Sequence, residues 1–391
     1  MLDSVVVRFG PEIGVKSSRV RLRMEKRVCE HILKALEHYG LEVDELEYTF
    51  GRLYLYSSRA EEAAEKAARV FGVSSTSPAK RTSSNLSEIA EAAVKLASSA
   101  LHEEAKFAVS CRRVGEHPYT SGDVCSRVGE AILEALGCRG VRVDLDNPDV
   151  TVGIEVREDK AFVYTQVLKG PGGFPAGTQG KSVCLISGGM DSPVACWLIM
   201  RRGSLPVFLT FNTHPYGGEE LVERALECAR ILMTWAIGFK ARAYIVPHGQ
   251  LLDTVVKKAP RALTCVLCKR AMLRVAERVA VRERAQAVVT GESLGEQASQ
   301  TIWNLRVISQ AASSFPVLRP LIGFDKPETD ELARRIGTYD VTARKASGCK
   351  AAPDTPAIKA RVSEVAAVEQ KLSLPALAPE LISKAKVLEL P

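Results

Sequence analysis

Residues 184–193 read Cys-Leu-Ile-Ser-Gly-Gly-Met-Asp-Ser-Pro. An apolar run over 182–186 stops at a Ser-Gly-Gly turn, and Asp191-Ser192-Pro193 opens a new element. Proline suits the first turn of a helix, where its missing N–H is one of the unpaired donors anyway. A strand over 182–186 and a helix over 193–201 are therefore expected on either side of the turn. Glycines let the backbone approach an anion closely, and the free N–H groups at a helix start attract phosphate. This is not a Walker loop, because no Gly-Lys-Ser/Thr follows. A plain strand–turn–helix joint could also carry Ser-Gly-Gly, but the added Asp-Ser-Pro argues for a phosphate site. Asp191 is then a carboxylate beside phosphate, which calls for a cation such as Mg²⁺ between them.

Working outward, the pattern downstream stays regular. Strands are expected at 206–211, 240–246 and 287–290, and helices at 219–234, 268–284 and 327–336. Strands alternating with helices predict a parallel, doubly wound sheet. Ligands of such sheets sit at the C-terminal strand ends. Upstream, residues 169–181 (KGPGGFPAGTQGK) hold five glycines and two prolines, so they cannot be an element interior and mark a domain boundary. Before them, residues 4–9 read as a strand. Residues 18–39 read as a helix, with Val20, Met24, Val28, Ile32 and Leu36 at helical spacing. Two short strands, 41–48 and 52–57, complete a small α+β unit. A further alternating stretch has helices at 61–70, 86–101 and 121–136 and strands at 106–111, 141–143, 150–156 and 161–165.

The chain has 391 residues, 46% hydrophobic and 25% charged. That length predicts two or three domains, and the composition excludes a collagen, a disordered tail and a disulfide miniprotein. No run approaches the roughly 18 apolar residues of a membrane span. The opening MLDSVVVRFG lacks a basic start followed by an apolar core, so no signal peptide is expected; the reading is a cytoplasmic protein with no membrane partner. The net charge is +7 and unevenly spread. Residues 1–58 are neutral, 59–175 carry −2 and 176–391 carry +9. Within the neutral piece, residues 16–27 set six basic side chains against Glu25 alone. Such a run is either a solvated helix face or a nucleic-acid contact.

Ten cysteines without an export signal argue against a disulfide scaffold. Cys29, Cys111, Cys125, Cys138, Cys184, Cys196 and Cys228 stand alone and are expected to be small buried side chains. Cys265-Val266-Leu267-Cys268-Lys269-Arg270 differs, since two thiols three apart at a helix start face one side. The helix start and adjacent cations are expected to lower their pKa, which suits a nucleophile, a redox pair or two metal ligands. Zinc wants four ligands, and the chain has no second CxxC. The other loop thiol is Cys349, and three thiols match an iron–sulfur cluster with one iron left open. A last block, 290–301 (TGESLGEQASQT), follows the strand at 287–290 on the same sheet rim as 187–192. Its amides could read an adenine or a substrate base, or its hydroxyls could merely cap a helix.

These segments agree with one family. Residues 187–193 resemble the pyrophosphatase loop of the adenine nucleotide alpha-hydrolases, which split ATP between the α and β phosphates and transfer AMP. Together with CKRAMLRVAE, TGESLGEQASQT, RPLIGFDK, IGTYD and SGCKAAPDTP, they resemble tRNA 4-thiouridine synthetase, the ThiI family. Upstream, FAVSCRRVGEHPYTS, VDLDNPDV, IEVR and KGPGGFPAGTQGK resemble its RNA-binding THUMP domain, and RFGPEIGVKSSRVRLRMEKRV its ferredoxin-like domain. The resemblance implies an α/β fold, with a doubly wound parallel-sheet PP-loop ATP pyrophosphatase domain preceded by α+β ferredoxin-like and THUMP domains. The implied division is 1–58 ferredoxin-like, 59–168 THUMP, 169–181 linker and 182–391 PP-loop.

The implied activity is that of a tRNA uracil 4-sulfurtransferase. It adenylates O4 of uridine 8 in tRNA and replaces the oxygen with sulfur, using ATP and Mg²⁺. Leu185, Ile186, Thr210, Phe211, Lys269, Gly291 and Gln300 would contact the nucleotide, and Ser187, Gly188, Gly189, Asp191 and Ser192 its pyrophosphate end. Asp191, Cys349, Cys265 and Cys268 would be catalytic, the three thiols holding a [4Fe–4S] cluster, working through a persulfide and disulfide, or binding zinc with a further ligand. Lys16, Arg19, Arg21, Arg23, Arg112 and Arg113 would meet RNA. Only 42 residues follow Cys349, so the expectation is the short form without a rhodanese domain, fed by sulfide or a persulfide carrier. A homodimer is compatible with it. Sulfur supply to the thiazole of thiamine, and a tRNA-binding module with degenerate catalysis, are the alternatives.

Overall fold

The computed structural model describes residues 1–49, 51–346 and 348–391. Ser347, which opens the 347–356 motif, lies outside the described residues. One compact unit spans Met1–Pro175 and a second Ala176–Pro391.

The first unit runs β1 (Ser4–Phe9), α1 (Ser18–His38), β2 (Glu45–Thr49), β3 (Arg52–Tyr56), α2 (Ala60–Ala67), β4 (Val73–Ser83), α3 (Leu86–Ala100), β5 (Lys106–Val114), α4 (Ser121–Leu136), β6 (Arg142–Val143), β7 (Val150–Arg157), β8 (Lys160–Tyr164) and β9 (Leu168–Lys169). Its sheet has the order β2-β3-β1-β4-β8-β7-β5-β6, and β9 pairs with β4. Val5, Val6 and Val7 are fully buried, which explains the apolar run of β1. Helix α1 buries Met24, Val28, Ile32 and Leu36 along one stripe, as the spacing predicts.

The long strand β4 is a departure from the sequence reading. Its residues, VSSTSPAKRTS, look like loop, yet they pair antiparallel with β1 at one end and with β8 at the other. The buried hydroxyls are satisfied: Thr76 Oγ1 donates to Ala64 O at 2.8 Å, and Ser77 Oγ accepts from Arg8 at 3.0 Å. A polar strand is thus tolerated inside the sheet because its two buried hydroxyls have partners.

A second unforeseen feature is charged. The carboxylate of Glu155 on β7 is nearly sealed from solvent and meets Arg8, Arg52 and Arg157, each at 3.0 Å. Burial pushes this carboxyl up, but Arg52, Arg8 and Arg157 outweigh it and hold it below its ordinary value. Removing one partner of a buried ion pair strands the remaining charge, at about 3–5 kcal/mol. Glu155→Gln should therefore destabilise the first unit by that order, read as faster hydrogen exchange of the β7 amides and a lower urea midpoint. The sign with pH follows. A carboxyl depressed on folding stabilises above its unfolded pKa and loses that contribution as pH falls through the folded value. Wild-type stability should drop as pH falls below the ordinary glutamate value of 4.5, and Glu155→Gln should flatten that slope.

The second unit runs β10 (Lys181–Leu185), α5 (Asp191–Arg201), β11 (Leu205–Asn212), α6 (Glu219–Met233), β12 (Ala241–Pro247), α7 (Gly249–Lys258), α8 (Thr264–Glu283), β13 (Ala287–Val289), α9 (Ile302–Ser309), β14 (Val317–Leu318), α10 (Lys326–Ile336), α11 (Val362–Lys371) and β15 (Lys386–Leu390). The sheet order is β14-β13-β10-β11-β12-β15. The first five strands are parallel, and β15 closes the edge antiparallel to β12. One face packs Val266, Leu267, Val275 and Val279 of α8 in a core with Val183, Val207 and Leu209 of the strands. The chain steps from β10 to β11 and β12 on one side, then returns to β13 on the other. The C-terminal ends of β10 and β13 therefore form the switch point where open α/β sheets bind ligands.

Cys184, Cys196 and Cys228 are buried, as expected. Cys29, Cys111 and Cys125 are half-buried, and Cys138 is exposed in the turn after α4, where no element covers it. Among the described residues no helix is long and apolar enough to cross a membrane.

Candidate active site

The turn after β10 is closed by its own serines. Ser187 N–H donates to Ser192 Oγ at 2.8 Å, and the two hydroxyls lie 3.0 Å apart. Gly189 N–H donates to Ser187 Oγ at 3.3 Å. Helix α5 starts at Asp191, two residues before the expected 193, so its unpaired N–H groups belong to the loop itself. Two glycines are dictated by contact. A Cβ on Gly188 would lie 2.9 Å from Leu221 Cδ2 and 3.0 Å from Leu221 O. A Cβ on Gly291 would lie 2.7 Å from the N and Cα of Ser192. The loop after β13 thus lies directly on the loop after β10.

Between them opens a cavity of about 670 Å³, within the range of small-ligand sites. Leu185, Ile186, Ser187, Gly188, Gly189, Asp191, Ser192, Thr210, Phe211, Lys269, Gly291 and Gln300 all line it, and so does Cys349. These residues come from the ends of β10, β11 and β13, the second turn of α8, and loops far apart in the chain.

Four charged residues beyond the expected set hold the cavity side chains in place: Glu292, which lines it, and Arg319, Lys326 and Glu296. Glu292, buried in its wall, accepts from Lys269 at 3.0 Å, Arg319 at 2.7 Å and Thr290 at 3.1 Å. Burial raises this carboxyl, but Lys269 and Arg319 outweigh it and keep it low, so it stays ionised and fixes the Lys269 ammonium. At the other end Lys326, from α10, meets Asp191 at 2.9 Å and Glu296 at 3.4 Å. Burial lowers its ammonium, while Asp191 and Glu296 raise it by more. All four stood in quoted motifs, RPLIGFDK and TGESLGEQASQT, but the pairing between the two motifs is long-range and carries no local signal.

The loop bearing Cys349 is tied down. Arg224, on α6, donates to Arg344 O at 2.6 Å and also to Lys345 O, and Lys350 N–H donates to Tyr216 O at 2.8 Å. Cys349 is exposed in the cavity wall. Cys265 and Cys268 lie on the first turns of α8, immediately before Lys269.

The expected lowering of their pKa does not occur. Burial pushes Cys265 up, with Cys349 adding to the rise, and pushes Cys268 up to about 12, with Cys349 and Cys265 adding. Lys269 opposes both, but desolvation wins. The structure also adds His248, fully buried, whose Nε2 lies 3.4 Å from Cys268 Sγ. Burial drives its pKa down to about 4, so the ring is neutral. Among the described residues no three His, Cys, Asp or Glu side chains are arranged to hold a metal ion.

The basic residues expected to meet RNA are divided. Arg19 and Arg23 line a shallow groove on α1 with Lys26 and Arg27. Arg21 is committed to the buried carboxylate of Glu25 at 2.9 Å, which makes it structural. The Lys16 ammonium stands 5.3 Å from the centre of the Phe174 ring. Arg112 is exposed on β5, while Arg113 donates to Gly115 O at 2.9 Å.

Comparison with known proteins follows this geometry. A family model described as thiamine biosynthesis protein (ThiI) matches residues 177–374, a THUMP domain model 83–166 and a ThiI ferredoxin-like domain model 4–77. A probable tRNA sulfurtransferase of Methanosarcina acetivorans is 40% identical, covering 99% of this chain and 93% of its own. One from Caldanaerobacter subterraneus is 37% identical, covering 95% and 96%. Among solved structures, a 4-thiouridine synthetase in complex with RNA and ATP superposes with a TM-score of 0.84 at 30% identity, over the whole of both chains.

Proposed function

The chain belongs to the ThiI family, and from that premise we propose that it is an ATP-dependent tRNA sulfurtransferase. It adenylates O4 of uridine 8 in tRNA and replaces that oxygen with sulfur to give 4-thiouridine. One observation carries the reading: twelve residues expected to hold a nucleotide, drawn from separate segments, line one cavity together with Cys349.

The chemistry needs two steps. The uridine oxygen attacks the α phosphorus of ATP and pyrophosphate leaves. A sulfur nucleophile then attacks C4, and AMP departs with the oxygen. An amide-like oxygen leaves poorly by itself, and the first step corrects that. The N–H groups at the start of α5 face the pyrophosphate end and stabilise its charge where it develops. Lys269, fixed by Glu292, supplies a second positive group. A bound Mg²⁺ would be held by Asp191, whose carboxylate already engages a cation in Lys326, and would neutralise phosphate charge. Cys349 stands in the same wall for the sulfur step, and Cys265 and Cys268 are close enough for it to raise their pKa. Three cysteine sulfurs are the ligand type of a [4Fe–4S] cluster with an open iron, for which they would have to draw together from their present placement; the other route is a persulfide on Cys349 resolved as a disulfide by Cys265 or Cys268. A persulfide carrier, by handing its outer sulfur to Cys349, would feed the persulfide route, whereas sulfide would serve only the cluster route, because a thiol and sulfide make no persulfide without an oxidant.

In this reading residues 1–58 and 59–168 hold the tRNA, 169–181 join them to the catalytic part at 182–391, and the reaction belongs to the cytoplasm. The THUMP match within 83–166 supports the RNA role. The thiamine alternative is not favoured, since the relatives are named for tRNA sulfur transfer. The test is anaerobic incubation of the protein with ATP and an unmodified tRNA transcript, in parallel with sulfide and with a persulfide carrier as sulfur donor. Pyrophosphate release that depends on the tRNA, with 4-thiouridine in the digested nucleosides, is the expected result. ATP turnover indifferent to tRNA would overturn the proposal.

A further inference from the structure

The chain has three tryptophans. Trp197 and Trp235 are buried and pack edge to face at 5.3 Å. Trp303 is 55% exposed, beside Ile302 at 65% and Ile358 at 55%. The Lys359 ammonium stands 4.6 Å from the centre of the Trp303 ring, and Arg306, one turn further along α9, is exposed. No carboxylate occurs in 297–310 or 355–361, while Arg306, Lys359 and Arg361 do. The patch thus sets exposed apolar side chains beside Lys359 on the indole face and Arg306 one turn along.

It is also rigid. Asn304, fully buried, donates to Ala298 O and Ala357 O, both at 2.7 Å, and accepts from Ala360 N–H at 3.0 Å. Thr301 Oγ1 donates to Ile358 O at 2.6 Å. These bonds lock the start of α9 to the segment that carries Ile358 and Lys359. Both pieces leave the cavity wall: Gln300 lines the cavity just before Thr301, and Cys349 lines it on the segment that leads to Ile358.

A base that reacts in such a cavity must leave its stack, and the unstacking has to be offset. Indole faces with neighbouring cations bind unpaired bases by stacking while the cations meet the phosphates. We propose that Trp303, with Lys359 and Arg306, is a stacking platform for an unpaired tRNA base flanking the uridine in the cavity. This rests on the tRNA reading above.

The test uses the full-length protein and an unmodified tRNA transcript. Titration with tRNA should quench the exposed-tryptophan emission of the wild type, and Trp303→Ala should lose that quenching. The same variant should bind tRNA and reach half-maximal thiolation about ten-fold more weakly, with Trp303→Phe largely rescuing both. Binding of ATP alone should be unchanged. Arg306→Ala and Lys359→Ala should each weaken tRNA binding and reduce its salt slope by about one. Equal tRNA affinity and half-saturation in Trp303→Ala, or quenching that persists in it, would overturn the proposal. So would a change of oligomeric state in Trp303→Ala with tRNA binding intact, which would make the patch a contact between copies. If the wild type makes no 4-thiouridine yet tRNA still quenches Trp303, the thiolation reading fails and the platform stands.

Discussion

Asp191→Ala should lose tRNA-dependent pyrophosphate release by on the order of 100-fold or more, while tRNA affinity stays within a few fold. The carboxylate sits at the first residue of α5, at the lip of the phosphate loop, and is bound to Lys326 at 2.9 Å. Its loss removes the oxygen that would hold Mg²⁺ and also the anchor of Lys326, so two positive charges lose their place beside the leaving pyrophosphate. The loop itself should keep its shape. Its closure depends on the bonds of Ser187 to Ser192 and on the packing of Gly291 against Ser192, none of which uses Asp191. A purely structural role would instead lower thermal stability and weaken ATP and tRNA binding together. Pyrophosphate release by the variant at the wild-type rate, measured with saturating ATP and tRNA, would remove Asp191 from the mechanism.

The second unit was readable because its determinants are local. Apolar strands flanked by Gly and Pro announce a parallel sheet, and Ser-Gly-Gly-Met-Asp-Ser-Pro carries its phosphate chemistry within seven residues. The switch point then collects the residues expected to hold a nucleotide into one cavity without further information.

What escaped was non-local. Strand β4 is polar, and only the partners of Thr76 and Ser77 make it tolerable inside a sheet. Glu155 and its three arginines come from three strands. Arg21 looked like one of six free cations until Glu25, one turn on, turned out to hold it. The thiols of Cys265 and Cys268 misled for the same reason. Spacing reveals a helix start and a neighbouring lysine, both of which lower a thiol pKa, but not the desolvation that outweighs them. His248 gave no signal, since a lone histidine in a strand–helix turn has no motif, and its meeting with Cys268 spans twenty residues.

Cys265→Ala, Cys268→Ala and Cys349→Ala should each abolish 4-thiouridine formation and leave tRNA-dependent pyrophosphate release near the wild-type rate. Sulfur enters only after adenylation, and none of the three thiols belongs to the phosphate loop, so the two steps should separate cleanly. The geometry adds a constraint on how the thiols work. Cys265 and Cys268 are pushed toward their protonated forms by burial, and His248 beside Cys268 is neutral. Neither is therefore a ready nucleophile as it stands, whereas Cys349 is exposed to the cavity. Two chemistries relieve the buried pair. A bound metal cluster would take the sulfurs as thiolates and balance their charge, and attack by one of them on the S–S bond between Cys349 and the persulfide sulfur carried on C4 would give a disulfide as the thiolated base leaves. Iron and sulfide analysis of anaerobically prepared protein separates them. If a cluster is present, each alanine variant should lose most of its iron along with its thiolation. If the route is a persulfide, iron should be absent throughout, and the Cys265→Ala and Cys268→Ala proteins should stall with Cys349 joined to the base through an S–S bond, releasing no 4-thiouridine. Should those two variants, prepared without oxygen, still make 4-thiouridine at the wild-type rate over many turnovers, the three sulfurs do not act as one site and Cys349 works alone.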